Sequence, residues 1–495
     1  MVSPEDIPKT LLQGPSDEDY DALDRAPSTY KPLHTFRLNN DRSYRQQYGD
    51  MYFLRLAMIK PAVEKVASEA WDGLVVNGER VQKVERVLDV RQGELCWVTG
   101  TVYMDMALKP NILEDVSNDR WLAAPATTPK YYSDDGSDQV MLEDDSGRIK
   151  LVGDKLKELP LVTGCIIAVM GTETANGELD VAAIKFADLP SQPKRWSLSK
   201  PPSKVKGEDV EMSDGGSPSG GTKVAIVSGL SFSGKDASYA TELNLLLEFL
   251  LGEVLDPAVQ KDISQITRLV IAGNSIARDE PDEKPDKKAQ KKYGYDASSY
   301  NPAPFQLLDD FLAEILPSIP VTILPGADDP STAALPQQPI HSAMFPKARA
   351  YTAADPSQGP GWFDSVTNPW EGEVEGWRFL GTGGQNVDDV FKYIGSDDRL
   401  GMMEGMCRWR CVAPTAPDTL WSYPFQEDEP FVIKSCPHVY FVGSQPRFST
   451  KTIQGPDGQS VRLITVPSFA ETGEIVLVDA ETLEASVVRI VAGLK

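Results

Sequence analysis

Histidine is scarce in this chain: only His34, His341 and His438 occur in 495 residues. That shortage weighs against hydrolytic chemistry on two divalent metals, since such a centre draws on about four or five imidazoles beside its carboxylates. Cysteine is sparse as well. There are five, and the two nearest in sequence, Cys407 and Cys411, are four apart with no CxxC pair. Metal-ligand spacings are usually tighter, so these read as ordinary buried thiols, reduced in an intracellular setting. No apolar run approaches 18 residues, so no membrane-crossing helix is expected. The N-terminus, MVSPEDIPKTLLQGPSDEDYD, lacks the apolar centre of a signal peptide. Basic charge is in deficit, 49 Lys and Arg against 73 Asp and Glu, a net of −24. Affinity for a phosphate backbone comes mainly from Lys and Arg. The chain is therefore not expected to hold nucleic acid by itself.

What the chain does have is a set of strand-to-loop junctions. Residues 223–235, KVAIVSGLSFSGK, pass from an apolar run into a loop of Ser and Gly, and LVIAGNS (269–275) and VTILPGADD (321–329) repeat the pattern. Each reads as a buried strand delivering its carboxyl end to a loop. Open α/β sheets keep their chemistry at such ends. Helices are expected at 240–251, stopped by Gly252, near 304–316, at 386–394 and across 397–410. Strands are expected at 224–227, 268–272, 321–324, 377–380, 438–442, 461–466, 474–478 and 486–491. Alternation followed by all-strand material predicts an α/β sandwich of two sheets over 223–495.

Upstream the signals change. Short strands at 93–105, 139–153, 162–173 and 177–188 are punctuated by glycines such as Gly100, Gly147, Gly153 and Gly171. That pattern suggests a small closed barrel over 84–193, an OB-fold. Such barrels raise single-strand nucleic-acid binding, and Trp97, Tyr103, Tyr131 and Tyr132 are available aromatics. Between residues 85 and 190, however, 19 acidic residues face 10 basic ones, so no electrostatic groove is evident. Residues 1–40, Pro-rich and acidic, are expected to be a flexible N-terminal segment, mobile or draped over a neighbour. Residues 41–83 are expected to be helical: 47–71 forms a helix that Pro61 ends or kinks, and a second segment runs through Trp71 to a turn at Asn77 and Gly78. Residues 194–222 read as a disordered linker, with Ser217 and Pro218 a phosphorylation candidate. The basic run 287–292 in a flexible insert, 278–301, is either a nuclear-import patch or a solvated loop.

With D-x-H, G-D-x-x-D, G-N-H and a late G-H-x-H at these strand ends, the sandwich would resemble the calcineurin-like metallophosphoesterases. Those enzymes clamp a phosphate between two metals and lower the pKa of the attacking water. The frame is here without the ligands. Gly229 and Ser231 stand at the first Asp and His positions, Asn274 and Ala277 at two Asp positions, and Ala327 and Asp328 at Asn and His. Ser444 and Pro446 stand where two histidines would be. Glycine and alanine offer no donor, and a proline ring cannot coordinate. No catalytic residue, metal ligand or cofactor site is expected in this chain. Asp328 and Asp329 remain as an acidic pair, read as loop-capping or solvated. The expected fold class is α+β and multidomain: an OB-fold barrel plus a calcineurin-like phosphoesterase α/β sandwich lacking its metal ligands.

An OB-fold followed by a ligand-stripped phosphoesterase domain resembles the B subunits of eukaryotic replicative DNA polymerases, and within that set the small subunits of DNA polymerase delta. The resemblance is carried by QYGDMYFLRLAMIKPAVEKVASEAW (47–71), VMLEDDSGRIKL (140–151), FLGTGGQNVDD (379–389) and CPHVYFVGSQPRF (436–448). It implies a nuclear, non-catalytic scaffold. Such a scaffold bridges the C-terminal metal-binding module of the polymerase delta catalytic subunit and a third, elongated subunit that reaches the sliding clamp. In some organisms it is shared with the catalytic subunit of the translesion polymerase zeta. Any zinc or iron–sulfur cluster would belong to the catalytic partner, and the clamp and DNA would be met indirectly. Two other readings stay open: a single-stranded DNA-binding protein, and a residual metal-dependent phosphodiesterase using Asp328.

Overall fold

The computed structural model describes residues 23–39, 41–43, 47–76, 78–110, 129–201, 221–236, 238–253, 256–277, 301–354 and 359–492. Residues 1–22 of the N-terminal segment, 202–220 of the expected linker (with Ser217) and 278–300 of the insert (with its basic run) lie outside the described residues, as does Asn77.

Strand β1 (Tyr30–Pro32) precedes a long helix, α1 (Gly49–Trp71). A small hairpin of β2 (Val75–Val76) and β3 (Glu79–Arg80) leads to β4 (Gln82–Lys83) and the barrel strands. These are β5 (Leu95–Asp105), β6 (Gln139–Glu143), β7 (Arg148–Val152), β8 (Ile166–Glu173) and β9 (Glu178–Lys185). Their order is β5-β6-β7-β9-β8, and β8 pairs back along β5 from Leu95↔Thr172 to Thr101↔Ile166. That return pairing closes the barrel and leaves its main strands no free edge. Gly171 lets β9 approach: a Cβ there would lie 2.1 Å from the Asp180 carbonyl oxygen.

Helix α1 plugs against β5 and β8 through Leu56, Ile59, Val63, Ala67 and Trp71, packed with Trp97, Ile166 and Ala168. Pro61 does not end it, which excludes the first of the two expected outcomes, an end or a kink. The proline is on the exposed side, where losing a main-chain bond costs about 3 kcal/mol. Burying Ile59 and Val63, roughly 1.5–3 kcal/mol each, together with Trp71, offsets that cost.

The rest of the chain builds the sandwich: β10 (Lys223–Val227), α2 (Ala240–Leu251), α3 (Pro257–Ile263), β11 (Ile266–Ala272), α4 (Ala303–Ile315), β12 (Val321–Leu324), β13 (Phe363–Ser365), β14 (Trp370–Val374), β15 (Trp377–Thr382), α5 (Gln385–Tyr393), α6 (Arg399–Arg408), β16 (Val439–Gln445), β17 (Ser449–Gln454), β18 (Ser460–Pro467), α7 (Phe469–Thr472), β19 (Glu474–Asp479) and β20 (Ala485–Arg489). One sheet runs β1-β14-β15-β16-β18-β17 and the other β13-β12-β11-β10-β19-β20. Period-two alternation assigns the faces. Val224 and Ile226 of β10 join the layer between the sheets with Phe379, Val439 and Phe441. Ala225 and Val227 face a second layer with Leu246 and Leu250 of α2 and Leu308 and Leu312 of α4. The outer face of the first sheet (Leu380, Tyr440, Leu463) shares one core with α5, α6 and the barrel residues Val98, Leu142 and Val169.

Of two expectations of mobility, the N-terminal one is met by its draped alternative and the linker one is corrected. The N-terminal segment is not free over residues 23–39: β1 pairs antiparallel with β14 as Tyr30↔Val374, and the Arg25 guanidinium donates to the carbonyls of Leu250 and Ile263, both at 2.9 Å. A three-residue edge strand is too short to show alternation, and an edge tolerates Pro32. Residues 194–201 of the expected linker are also packed. The Arg195 guanidinium sits between the rings of Trp377 and Trp196, 4.6 and 5.3 Å from their centroids, and donates to both carboxylate oxygens of Glu481.

Candidate functional site

Parallel strands β10, β11 and β12 of one sheet and β15 and β16 of the other bring their carboxyl ends to the same margin of the sandwich. The loops that follow meet glycine to glycine. A Cβ on Gly273, whose φ is +84°, would lie 3.0 Å from the Cα of both Gly326 and Gly383. One on Gly443 would lie 2.0 Å from the Ala272 carbonyl oxygen. The main chains of these loops are thus in close contact at the strand ends.

Apart from the Asp329 carboxylate, which accepts the Gly326 N–H, the polar side chains bonded around this glycine contact are neutral amides and hydroxyls. Gln337 Oε1 accepts from Asn368 Nδ2 (2.8 Å) and Gln385 Nε2 (2.9 Å), and Gln337 Nε2 donates to the Gly326 carbonyl (3.0 Å). Asn368 Oδ1 accepts the Gly383 N–H at 3.0 Å. On the other side Ser228 Oγ donates to the Ala272 carbonyl (2.6 Å) and accepts the Ser444 N–H (2.8 Å). A carboxamide both donates and accepts, so it can cross-link loops that a set of like-charged carboxylates would push apart.

The positions singled out in sequence are distributed as follows. Gly229 N–H donates to the Gly273 carbonyl at 2.9 Å, Ser231 N–H to the Asn274 carbonyl at 3.1 Å, and Asn274 Oδ1 accepts the Asp328 N–H at 3.1 Å. These four residues are brought together, and Ser444 joins them through Ser228. Ala277 is apart, donating to the Phe232 carbonyl, while Ala327 and Pro446 are exposed. Pro446 lines a 420 Å³ cleft with Asp397, Arg399 and Arg447, where Arg399 pairs with Asp397 and Asp388, and Arg447 with Asp397. Ser231, Asn274 and Ser444 keep left-handed φ values of 49°, 52° and 53°. Such conformations cost about 1–3 kcal/mol each and persist where surroundings over-determine them.

Of the acidic pair, Asp329 is the structural member. It is buried, its Oδ1 accepts the Ile276 N–H at 3.0 Å and its Oδ2 the Gly326 N–H at 2.7 Å. Burial pushes its pKa up to about 6 despite those bonds. The folded state therefore holds this proton more tightly than the unfolded chain. The group's stabilising contribution is complete below about pH 4 and lost as pH rises through about 6. We expect wild-type stability, measured relative to Asp329→Asn in urea, to fall between pH 4 and 6 and to be flat on either side. A pH-independent difference would contradict this.

His438 is structural too. Its Nδ1 accepts the Arg378 N–H at 3.1 Å, its ring meets Trp377 edge-on at 4.9 Å, and burial lowers its pKa to about 4. His341 caps a short turn by accepting the Ala343 N–H. All five cysteines are buried and unpaired in disulfides. Among the described residues no group of three or more His, Cys, Asp or Glu is placed to hold a metal ion. On the barrel, Trp97 and Tyr131 belong to the core. Tyr103 lies between Lys109 Nζ and the Arg148 guanidinium at 4.2 and 4.4 Å, and Tyr132 beneath Lys130. Sequence reading missed Ser228, Gln337, Asn368 and Gln385. Only Gln385, inside the GTGGQN run, carried a local signal.

A closed barrel joined to a two-sheet sandwich matches two family models, the DNA polymerase delta subunit OB-fold domain over residues 47–184 and the DNA polymerase alpha/epsilon B subunit over residues 224–450. Fold and site together thus define a polymerase B subunit. The chain is 35% identical to the DNA polymerase delta small subunit of Saccharomyces cerevisiae, over 93% of each chain. It is 35% identical to that of Arabidopsis thaliana, over 93% of this chain and 95% of the relative. DNA polymerase delta subunit 2 of Drosophila melanogaster is 32% identical, over 94% and 98%. The chain belongs to the family of DNA polymerase delta small subunits.

Proposed function

We propose that this chain is the non-catalytic accessory subunit of nuclear DNA polymerase delta, a scaffold that holds the C-terminal metal-binding module of the catalytic subunit and the third, clamp-binding subunit. Sharing with polymerase zeta is part of the same reading. The observation that carries it is the strand-end site. There a phosphoesterase-like frame has glycine contacts and carboxamides in place of ligands, in a chain similar along its length to the small subunits. A calcineurin-like ancestry accounts for the left-handed residues kept at Ser231, Asn274 and Ser444. Zinc or an iron–sulfur cluster is assigned to the catalytic partner. The domain division we favour is a helical segment at 41–83, the barrel at 84–193 and the inactive phosphoesterase-like sandwich at 223–495, to which residues 23–39 add their strand.

Affinity purification of the tagged chain from nuclear extract, with stoichiometry by mass spectrometry, tests the proposal. We expect one catalytic chain and one elongated third subunit per tagged chain. Recovery of the chain alone would count against it and would direct attention to metal content and single-strand binding.

A further inference from the structure

Helix α1 buries one face in the barrel and leaves the opposite face uncovered among the described residues. Between Asp50 and Lys60 the sequence MYFLRLAMI carries one charge, Arg55, and that side chain is fully buried. Phe53 is 57% exposed, Ala57 and Pro61 are exposed as well, and Leu54 and Met58 lie half-buried beside them. A surface helix ordinarily turns polar side chains to water, and one that is apolar all round is ordinarily buried. These turns of α1 are apolar all round, yet one side of them faces out.

The ends of the apolar face carry opposite charges. Side chains four apart stand in one row on a helix. The row Phe53, Ala57, Pro61 runs on to Lys65, and the adjacent row, Leu54 and Met58, begins at Asp50. Asp50 and Lys65 thus lie about two turns to either side of Ala57. Lys65 approaches Glu69 at 4.0 Å with both side chains mostly in water, a contact of little strength. Asp50 accepts the Gln426 amide at 3.0 Å and joins no ion pair among the described residues. Glu64, at nearly the same height as Lys65, is already held by Lys60 and Lys83 at 3.7 and 3.1 Å.

A strongly acidic or strongly basic partner would match one end of this face and oppose the other. A second α1, laid antiparallel with Ala57 against Ala57, matches both. Phe53 then falls opposite Pro61 of the second copy, the small Ala57 lets the axes approach at the centre, and Asp50 falls opposite Lys65 twice over. A patch that complements itself in this way is what a two-fold interface requires. We propose that this face of α1 pairs two copies of the chain, α1 packing antiparallel on α1. Such pairing does not depend on the accessory-subunit reading; together with it, a pair would bring two polymerases side by side.

Sedimentation velocity on the full-length chain alone, from ~1 to ~100 µM, tests the proposal in the range where so small an interface should associate. We expect a monomer–dimer equilibrium that Ala57→Glu abolishes, with the melting temperature of dilute protein unchanged because the position is exposed. Asp50→Lys and Lys65→Glu should each weaken the dimer about tenfold or more, since each sets like charges opposite one another. An equal mixture of those two variants should dimerise within about threefold of wild type, because both end pairs are then opposite in sign. A chain monomeric throughout, a dimer indifferent to Ala57→Glu, or a mixture no stronger than its components would overturn the proposal. So would a monomer in which Ala57→Glu instead weakens capture of the polymerase delta catalytic subunit or the third subunit, for the face would then belong to that partner. If Ala57→Glu does not fold, the charge variants and their mixture decide.

Discussion

Arg55→Ala is expected to remove about 3–5 kcal/mol of stability, the magnitude for breaking a buried ion pair from one side. Arg55 and Glu429 are both fully buried, 3.5 Å apart, and Arg55 Nη1 also donates to the Pro414 carbonyl at 2.7 Å. Arg55 comes from α1, while Pro414 and Glu429 belong to the sandwich segment between α6 and β16. Gly164 of the barrel completes the contact: a Cβ there would stand 1.9 Å from the Pro414 oxygen. One guanidinium thus ties helix, barrel and sandwich together. Its loss strands Glu429, whose carboxyl burial already pushes up and Arg55 pulls down. Domains typically have about 5–15 kcal/mol in all, so the urea midpoint should drop by a large fraction. Acidification should shrink the penalty, because the stranded carboxyl then protonates. Arg55→Met combined with Glu429→Leu should recover much of the loss, since apolar replacement of both partners is often neutral. A single-variant loss under about 1 kcal/mol would show that the pair does not tie the junction.

The contrast between that junction and the strands shows where sequence is informative. Strands β10, β11 and β12 announce themselves because both faces are buried and the apolar run is continuous. The boundary of α2 is visible because Gly252 takes a left-handed cap, φ 78°. Strands β1 and β13, three residues each, and β17, with exposed Lys451 and Thr452, offer no such run and were not foreseen. For the site, a glycine or proline is legible as a non-donor whatever the fold. The side chains that surround these positions were not legible. Gln337 and Asn368 lie 31 residues apart in loops, and no local period links them. Asp328 and Asp329 look alike in sequence, yet only Asp329 is buried on two backbone N–H groups. The helix continues past Pro61 because the cost of an interior proline is finite and a buried stripe can exceed it.

Gly443→Ala is the other large effect expected, a loss of at least ~3 kcal/mol, at the upper end of overpacking costs. The new methyl would stand 2.0 Å from the Ala272 carbonyl oxygen and 2.6 Å from Ser228 Oγ. Both obstacles are held: the carbonyl sits in the parallel ladder of β11, and Ser228 is fixed by its bonds to Ala272 and Ser444. Relief requires β16 and β11, one from each sheet, to separate, which opens the central apolar layer. Ala327→Asn and Pro446→His, which restore ligand-type residues at exposed positions, should by contrast change stability by no more than about 0.5 kcal/mol. They should also fail to gain a metal. Manganese should leave the melting temperature of the double variant unmoved, because the main chains of Gly273, Gly326 and Gly383 are already in contact between these loops. A manganese-dependent rise would mean that the centre is still open. Two exposed substitutions at the rim leave the contacts at the centre untouched, because those are shared among three loops and two sheets.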